Sequence, residues 1–346
     1  MTTASALRLA IVVLVFSGSA AGQQPAAPPQ PATEPPAASP PVDPKKLQQA
    51  ANRFDARAEY QLALYYVNPK SKDHSDTLAV EWLKKAAGQG LVDAEHELAL
   101  WNLAGLHGVM ADPTEAARLW QMAADQGLAV AQYGLAQLYT NGVGVPEDQA
   151  QAVRWWRKAA EQGHPYAQNM LAKSYFNGTG VEQSLPDAIS WWTKAAAQGH
   201  SAAMFNLGVA YSVGRGVDKD MTQAVQWWQK ASGAGDVSAM DALASAYAAG
   251  TGVMKDATEA ARWWRAAAEK GDPTGQHALA LAYFTGSGVP KDLIEAYKWL
   301  HLAVQLSSPA DRQPHMIARE AVGTNMTADD MAEAQKRARE WVDAHK

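Results

Sequence analysis

The chain has 346 residues, no cysteine and a formal net charge of −5 at neutral pH. The lack of cysteine excludes disulfides, thiolate zinc sites and a cysteine nucleophile. The small negative charge provides no basic surface for nucleic acid or an anionic membrane, so neither is expected as a partner. Hydrophobic residues make up 47% of the chain and charged residues 19%, which is typical of a globular protein.

Residues 1–22 are predicted to be a signal peptide. One basic residue, Arg8, precedes an apolar run over 9–16 that is too short to span a bilayer, and small residues follow it. We therefore expect a periplasmic or secreted protein that is cleaved after a residue within 20–22. The mature chain should not insert stably into a membrane. An uncleaved anchor is the alternative.

Residues 23–53 are predicted to be a linker and lead-in. Nine of the eighteen prolines fall within 23–44. Such a segment favours extended polyproline II and does not form a core. A spacer between the export signal and the folded part is the main interpretation, and a ligand for a proline-binding module is the alternative.

A twelve-residue pattern recurs through the rest of the chain. Residues 152–163 read AVRWWRKAAEQG, and the corresponding stretches begin 36 residues apart, or 37 apart at the first step. Eleven of the thirteen tryptophans fall in two adjacent columns of this pattern. A fixed period of this size predicts a tandem array of supersecondary units, none of which can bury its core alone.

Each unit is predicted to be a helical hairpin, as residues 128–163 illustrate. The first helix carries Ala131, Leu135 and Tyr139 on one stripe. A GxGV loop follows, in which the first glycine suits a left-handed residue ending the helix and the second suits a turn. Asp148 is expected to cap the second helix, with an acid or amide three residues later as in a capping box.

The paired tryptophans are predicted to be packing residues. Adjacent helical residues point about 100° apart, and the second helix of a stacked hairpin touches several neighbouring helices. Trp155 and Trp156 can therefore each bury a ring against a different neighbour. Arg154, Arg157 and Lys158 are expected on the solvated side. Other copies carry Gln226, Ser190 or Thr193 in these columns, so no basic stripe is expected along the array.

The whole pattern, AxxxLAxxYxxGxGV…D…AVxWWxKAAxQG, resembles the Sel1-like repeat, a relative of the tetratricopeptide repeat. The resemblance covers about residues 54–307. It implies an all-α fold, a right-handed α/α superhelical solenoid whose concave face is lined by the first helices. Family members are mostly adaptors in bacterial envelope signalling, secretion and host contact, so the resemblance implies a protein or peptide partner. The predicted repeats are 54–90, 91–127, 128–163, 164–199, 200–235, 236–271 and 272–307.

Residues 308–346 are predicted to form C-terminal capping helices. One begins near Pro314, and the last begins after Thr327 as its N-cap. Ala338 and Trp341 share the apolar stripe of the last helix. This pair of helices is expected to cover the exposed core of the final repeat.

No catalytic residue, metal site or cofactor is predicted. The sequence contains no HExxH, GxSxG or SxxK pattern, and its histidines are scattered. The preferred function is an exported, non-catalytic scaffold. The alternatives are a cell-wall or β-lactam-related hydrolase, and a structural spacer without a specific ligand.

The partner is predicted to bind the concave face. By analogy with tetratricopeptide repeats, the columns of Tyr133, Gln137 and Thr140 should line this face. These columns vary from copy to copy while the packing columns repeat, as expected of a surface free from packing. The predicted partner-binding residues are His96, Tyr133, Gln137, Asn169, Lys173, Phe176, Phe205, Val209, Asp241, His277, Leu281 and Phe284.

Replacing Val13 with arginine is expected to block export, because a charge within the apolar run opposes membrane insertion. Sequencing the N-terminus of the native protein should find a mature chain that starts within 21–23. Native protein that retained Met1 would contradict the signal-peptide prediction.

Overall fold

The computed structural model describes residues 43–345, which contain 17 α-helices and no strand. The predicted signal peptide and the proline-rich segment up to residue 42 lie outside this range. Within 43–345, no helix is both long enough and apolar enough to cross a bilayer. The predicted all-α fold of tandem helix hairpins is confirmed.

The chain divides at Ser184 and Leu185 into two compact units. Unit 1 contains α1 (Pro44–Ala51), α2 (Ala56–Val67), α3 (Asp76–Gly88), α4 (Val92–Ala104), α5 (Pro113–Asp125), α6 (Ala129–Asn141), α7 (Gln149–Glu161) and α8 (Pro165–Asn177). Unit 2 contains α9 (Leu185–Ala197), α10 (Ser201–Val213), α11 (Met221–Gly233), α12 (Val237–Ala249), α13 (Ala257–Glu269), α14 (Pro273–Thr285), α15 (Leu293–Leu306), α16 (Arg312–Gly323) and α17 (Ala328–Ala344). Within each unit the helices of the array pack in chain order, and α16 and α17 both pack on α15.

Helix α1 lies in the segment predicted to be linker and lead-in. Asp43 caps it by accepting a hydrogen bond from Lys45 N at 3.0 Å, with Pro44 in the first turn. Ala51 is buried because α1 packs on α2. The Asp-Pro signal for a helix start is present in the sequence, but the proline-rich composition extends up to it and obscures it.

Small and aliphatic residues of the repeated columns form the core of each unit. Ala131, Leu135 and Ala136 are fully or almost fully buried. The small side chains let two helices approach closely, and the leucine fills the space between them. The same leucine column is buried in the later repeats, at Leu171, Leu207, Leu243 and Leu279.

The loop glycines do two different things. Gly178 ends α8 in the left-handed region, with φ of 72°, as predicted. Gly180 is also left-handed, with φ of 70°, and a side chain there would overlap the carbonyl oxygen of Gln149. Gln149 begins the second helix of the preceding repeat, so the second glycine is required for the approach of one repeat to another as well as for the turn. The same overlap occurs between Gly144 and Pro113, Gly252 and Met221, and Gly288 and Ala257.

Aspartates cap the second helices as predicted. Asp148 Oδ1, for example, accepts a hydrogen bond from Gln151 N at 2.9 Å. The predicted capping box is not completed at Asp112. The Glu115 carboxylate binds Arg118 at 2.7 Å and does not accept a hydrogen bond from the backbone N–H of the cap residue. A complete box with both reciprocal bonds is formed by Thr327 and Asp330 at the start of α17.

The Trp155–Trp156 pair is a packing pair, as predicted. Trp156 has 2% of its surface exposed and Trp155 has 7%. The basic residues beside them are not merely solvated. Lys158 Nζ lies 3.8 Å from the centre of the Trp155 ring, and Arg157 donates to the Tyr175 hydroxyl at 2.9 Å. The ammonium therefore covers one face of the packed Trp155 ring.

Helices α16 and α17 pack against the last hairpin. Ala334 and Ala338 of α17 and Val322 of α16 are buried in one cluster with Leu300 of α15. The Trp299 and Trp341 rings meet edge to face, with centroids 6.1 Å apart. The apolar surface that a further repeat would bury is thus buried by these helices.

Gly180→Ala should destabilise the protein more than Gly163→Ala. Both glycines are left-handed, with φ of 70° and 91°, so both variants carry about 1–2 kcal/mol of backbone strain. An added methyl group at Gly163 meets nothing within 4 Å, whereas one at Gly180 overlaps Gln149. Denaturant unfolding of the two variants measures the difference. Equal losses of unfolding free energy would contradict the close approach of the two repeats.

Candidate functional site

The predicted partner-binding residues lie on the first helices of successive repeats, namely α4, α6 and α8 in unit 1 and α10, α12 and α14 in unit 2. We call these two groups of residues the unit 1 surface and the unit 2 surface. The unit 1 surface consists of His96, Tyr133, Gln137, Asn169, Lys173 and Phe176. The unit 2 surface consists of Phe205, Val209, Asp241, His277, Leu281 and Phe284.

Part of the unit 1 surface is buried, so the expectation that its columns are free from packing is wrong there. Tyr133, Gln137 and Asn169 are only 3%, 6% and 8% exposed. The Tyr133 ring lies on the His164 ring, with centroids 5.0 Å apart, and its hydroxyl accepts from Gln137 Nε2 at 3.1 Å. His164 in turn caps α8 by accepting from Ala167 N. These side chains join α6 to the start of α8.

His96 is a neutral packing residue. Its Nδ1 accepts a hydrogen bond from Trp120 Nε1 at 3.0 Å, which fixes α4 against α5. Burial lowers the pKa of His96 to about 4, because the charged imidazolium loses its hydration. At neutral pH the ring is therefore a hydrogen-bond acceptor and brings no charge to the unit 1 surface.

Lys173 and Phe176 are the half-buried end of the unit 1 surface. They lie three residues apart on α8, so they share one face of that helix. Burial lowers the pKa of the Lys173 ammonium. This face therefore presents a poorly hydrated cation next to an aromatic ring.

The unit 2 surface leaves more apolar area accessible. Leu281 is 41% exposed, and Phe205, Val209 and Phe284 are half-buried. Phe205 also packs on the cluster around Leu243. An apolar side chain that faces water on a helix whose neighbouring columns are fully packed can bury further area against a partner.

Asp241 is held close to a second carboxyl group. It is hydrogen-bonded to Asp272, and burial together with the Asp272 charge raises the pKa of Asp241 well above its usual range. Asp272 Oδ2 also accepts from Gly275 N at 2.6 Å and so caps α14. Asp241 therefore keeps a proton that an exposed aspartate would release, and it adds little negative charge to the unit 2 surface.

His277 meets a residue from beyond the repeats. Its ring lies 5.0 Å from that of His315 on α16, measured between centroids. A helix outside the periodic array therefore covers part of the unit 2 surface.

Two histidines have a capping role that was not predicted from the sequence. His164 and His200 each accept a hydrogen bond at Nδ1 from the backbone N–H three residues on, at 3.2 Å in both cases. Asp236 and Asp272 do the same at the equivalent positions of later repeats. The signal was available, because these four residues occupy one column immediately before a first helix.

The described side chains show no metal centre. Within 43–345, no three histidine, aspartate or glutamate side chains are grouped so that they could hold a metal ion. What the unit 1 and unit 2 surfaces offer is contact area: aromatic rings, aliphatic side chains, one lysine and one protonated carboxyl group. That composition suits recognition of another chain.

The protein is a tandem α-hairpin repeat protein. Its helix hairpins are joined by glycine loops, capped by aspartate and packed through columns of alanine and leucine. The Sel1 repeat model matches seven consecutive segments, at 56–91, 92–128, 129–164, 165–200, 201–236, 237–272 and 273–308. The chain belongs to the Sel1 repeat family and is a Sel1-repeat scaffold. After the first, each matched segment starts one residue later than the repeat predicted from the sequence.

Solved structures similar to the chain include two Sel1-repeat folds. A Sel1 repeat protein from Oxalobacter formigenes is 30% identical, with 70% of this chain and 96% of that chain covered and a TM-score of 0.63. A protective antigen of uropathogenic Escherichia coli that displays an SLR fold is 23% identical, with 87% and 95% covered and a TM-score of 0.50. The second likeness concerns the fold alone. Among curated proteins, none matches the chain.

Asp241→Asn should stabilise the protein at alkaline pH. The pKa of Asp241 is raised in the folded state, so the folded protein binds a proton that the unfolded chain releases above about pH 4. Wild-type stability therefore falls as the pH rises through the folded-state pKa. The asparagine variant escapes this loss, because its amide carries no charge and still donates to Asp272.

Thermal unfolding at pH 5 and pH 8.5 measures this effect. The gain in Tm of Asp241→Asn over wild type should be larger at pH 8.5 than at pH 5. Asp218→Asn, at an exposed loop position of the same unit, serves as the control. A gain that is independent of pH, or equal in the control, would show that the carboxyl pair does not carry the effect.

Proposed function

We propose that the protein is an exported, non-catalytic scaffold that binds a protein or peptide partner through the first helices of its repeats. Envelope signalling, secretion or contact with a host is the setting that fits such a protein. The observation that carries the proposal is the contrast between columns. The packing columns repeat along the chain and are buried, whereas the columns of the unit 2 surface differ in every copy and keep apolar side chains accessible.

The unit 2 surface is proposed as the main contact for the partner. In unit 1 the side chains of Tyr133, Gln137 and Asn169 are used for packing, so little of their area is left for a ligand. On the unit 2 surface the most accessible apolar residue is Leu281, and Phe284 follows it on the same helix. Recognition therefore depends chiefly on apolar contacts along α10, α12 and α14.

The charge of these helices supports an apolar partner segment. Counting lysine, arginine, aspartate and glutamate, α10 and α14 carry no charged residue and α12 carries only Asp241. The raised pKa of Asp241 reduces even that charge. Binding should thus change little with ionic strength, because attraction between exposed charges is what salt screens.

Export is proposed from the sequence of residues 1–22, where one arginine and an apolar run precede small residues. The absence of cysteine from the chain is compatible with folding in any redox environment. The N-terminal sequence of the native protein tests this part of the proposal independently of partner binding.

Leu281→Glu should weaken partner binding without unfolding the protein. Leu281 is 41% exposed, so a carboxylate there stays hydrated in the free protein but must lose water against an apolar partner, at a cost of 10-fold or more in Kd, about 1.4 kcal/mol. Met254→Glu is the matched control, because Met254 is an 89% exposed apolar residue in a loop.

The measurement is affinity capture from an envelope extract with immobilised wild type and both variants, at low and high salt. The proposal expects proteins that wild type and Met254→Glu retain and Leu281→Glu loses, with a Tm near wild type for all three. A partner that Leu281→Glu retains fully, or one that high salt removes, would contradict an apolar contact on the unit 2 surface.

A further inference from the structure

Helix α16 is attached to the last repeat through a contact between two histidines. His277 of α14 and His315 of α16 bring their Nδ1 atoms within 2.9 Å of each other. At this distance one Nδ1 must donate a proton and the other must accept it, so at least one imidazole must be neutral. If both rings are protonated, two N–H groups and two positive charges face each other.

A third histidine lies where the two C-terminal helices meet α15. His301 of α15 is half-buried, and its Nε2 lies 3.0 Å from Gln305 Nε2. Arg319 of α16 and Arg339 of α17 are near enough that their charges lower the pKa of His301. Protonation of His301 would therefore add a positive charge beside an arginine of α16.

We propose that α16 is an acid-released cover of the last Sel1 repeat. At neutral pH the hydrogen bond between His277 and His315 holds it in place. When the pH falls, protonation of both His277 and His315 turns their hydrogen bond into a repulsion, and protonation of His301 adds a positive charge near Arg319 of α16 and Arg339 of α17. Helix α16 then leaves α14 and α15 while the repeats themselves remain folded.

Acidic groups near the pair favour its protonation, whereas the charge of the first proton opposes the second. Asp272, at the start of α14, and Asp311, before α16, both raise the pKa of His315. Asp241 of α12 reaches Asp272 and shares a proton with it, which limits the negative charge at that position. One proton on the pair gives a charge-assisted hydrogen bond, and the second proton breaks it.

The other charged groups on neighbouring helices are engaged elsewhere. Arg265 of α13 donates to the Tyr283 hydroxyl at 2.6 Å, and Tyr283 is six residues beyond His277, about 9 Å along α14. On α15, Glu295 binds Lys298 of the same helix and Arg337 of α17, each at 3.1 Å. None of these groups supplies a new negative partner for a doubly protonated histidine pair.

The direction of the pH dependence follows from burial. Burial is the largest cause that lowers the pKa of His277, His315 and His301 in the folded protein. The attachment of α16 is therefore complete above the ordinary histidine pKa of about 6.5. It is lost as the pH falls through the lowered values of the folded state.

Release of α16 would change the surface that the last repeat presents. Val322 of α16 is buried in one cluster with Tyr297 and Leu300 of α15, so this apolar area becomes accessible. Helix α17 keeps its own attachments through Arg337 and Trp341. The newly accessible area adjoins His277 of the unit 2 surface, so the cover also limits how far that surface extends.

Hydrogen exchange followed by mass spectrometry on the whole mature chain tests the proposal without any partner. Protection factors, corrected for intrinsic exchange, are compared for residues 312–323 and for α12 at pH 7.5 and pH 5. In wild type, protection of 312–323 should fall at least 10-fold more than protection of α12. The double variant His301→Gln with His315→Gln should not show this difference, because both replacements stay neutral.

His345→Gln, at an exposed position of the C-terminus, is the control and should respond like wild type. Equal loss of protection in wild type and the double variant, or no selective loss in wild type, would overturn the proposal. If the double variant fails to fold, NMR titration of the wild-type histidine rings decides. His277 and His315 must titrate below pH 6.5 and together with the loss of α16 protection, and titration without that loss overturns the proposal.

Discussion

The approach of a loop glycine in one repeat to the helix start of the preceding repeat sets the spacing of the array. At Gly180 the backbone comes so close to Gln149 that no side chain fits between them. Gly178, which ends the first helix of its repeat, turns the chain toward this contact. Once the loop is placed, the aspartate that follows begins the second helix, and the alanine and leucine columns face their neighbours in the correct register.

Buried amide side chains reinforce the same junctions. Gln132 on α6 donates to the carbonyl oxygen of Ala124 at the end of α5, at 3.0 Å, and Gln168 on α8 donates to Ala160 of α7 at 3.1 Å. The carbonyl groups at a helix end lack intrahelical partners, so a glutamine from the next repeat satisfies one of them. These two junctions thus combine an apolar contact with a polar bond that water cannot easily replace.

Periodicity explains why so much of the fold could be predicted from the sequence. A residue such as Leu135 or Asp148 stands in a column that recurs along the chain, so one physical interpretation is tested several times within a single sequence. The burial of Tyr133 could not be predicted this way, because its partner ring belongs to His164, which occurs in a column that changes identity along the chain. His315 lies outside the period altogether, and no pattern indicated its contact with His277.

The structure also indicates which changes of chain length the array can accept. Within each unit the helices pack on their neighbours in chain order, so an insertion or deletion of a whole 36-residue repeat within a unit recreates the same kind of junction. The one natural exception to that length is the extra residue His107, which adopts φ of 55° in its loop. There its ring lies within hydrogen-bond distance, 2.9 Å, of the carboxylate of Asp76, which is the first residue of the second helix of the preceding repeat. This side-chain contact replaces the glycine contact, so the helices keep their register. Gene duplication in units of one repeat, with single-residue additions confined to the loops, is therefore the route by which such a chain can lengthen without losing its packing.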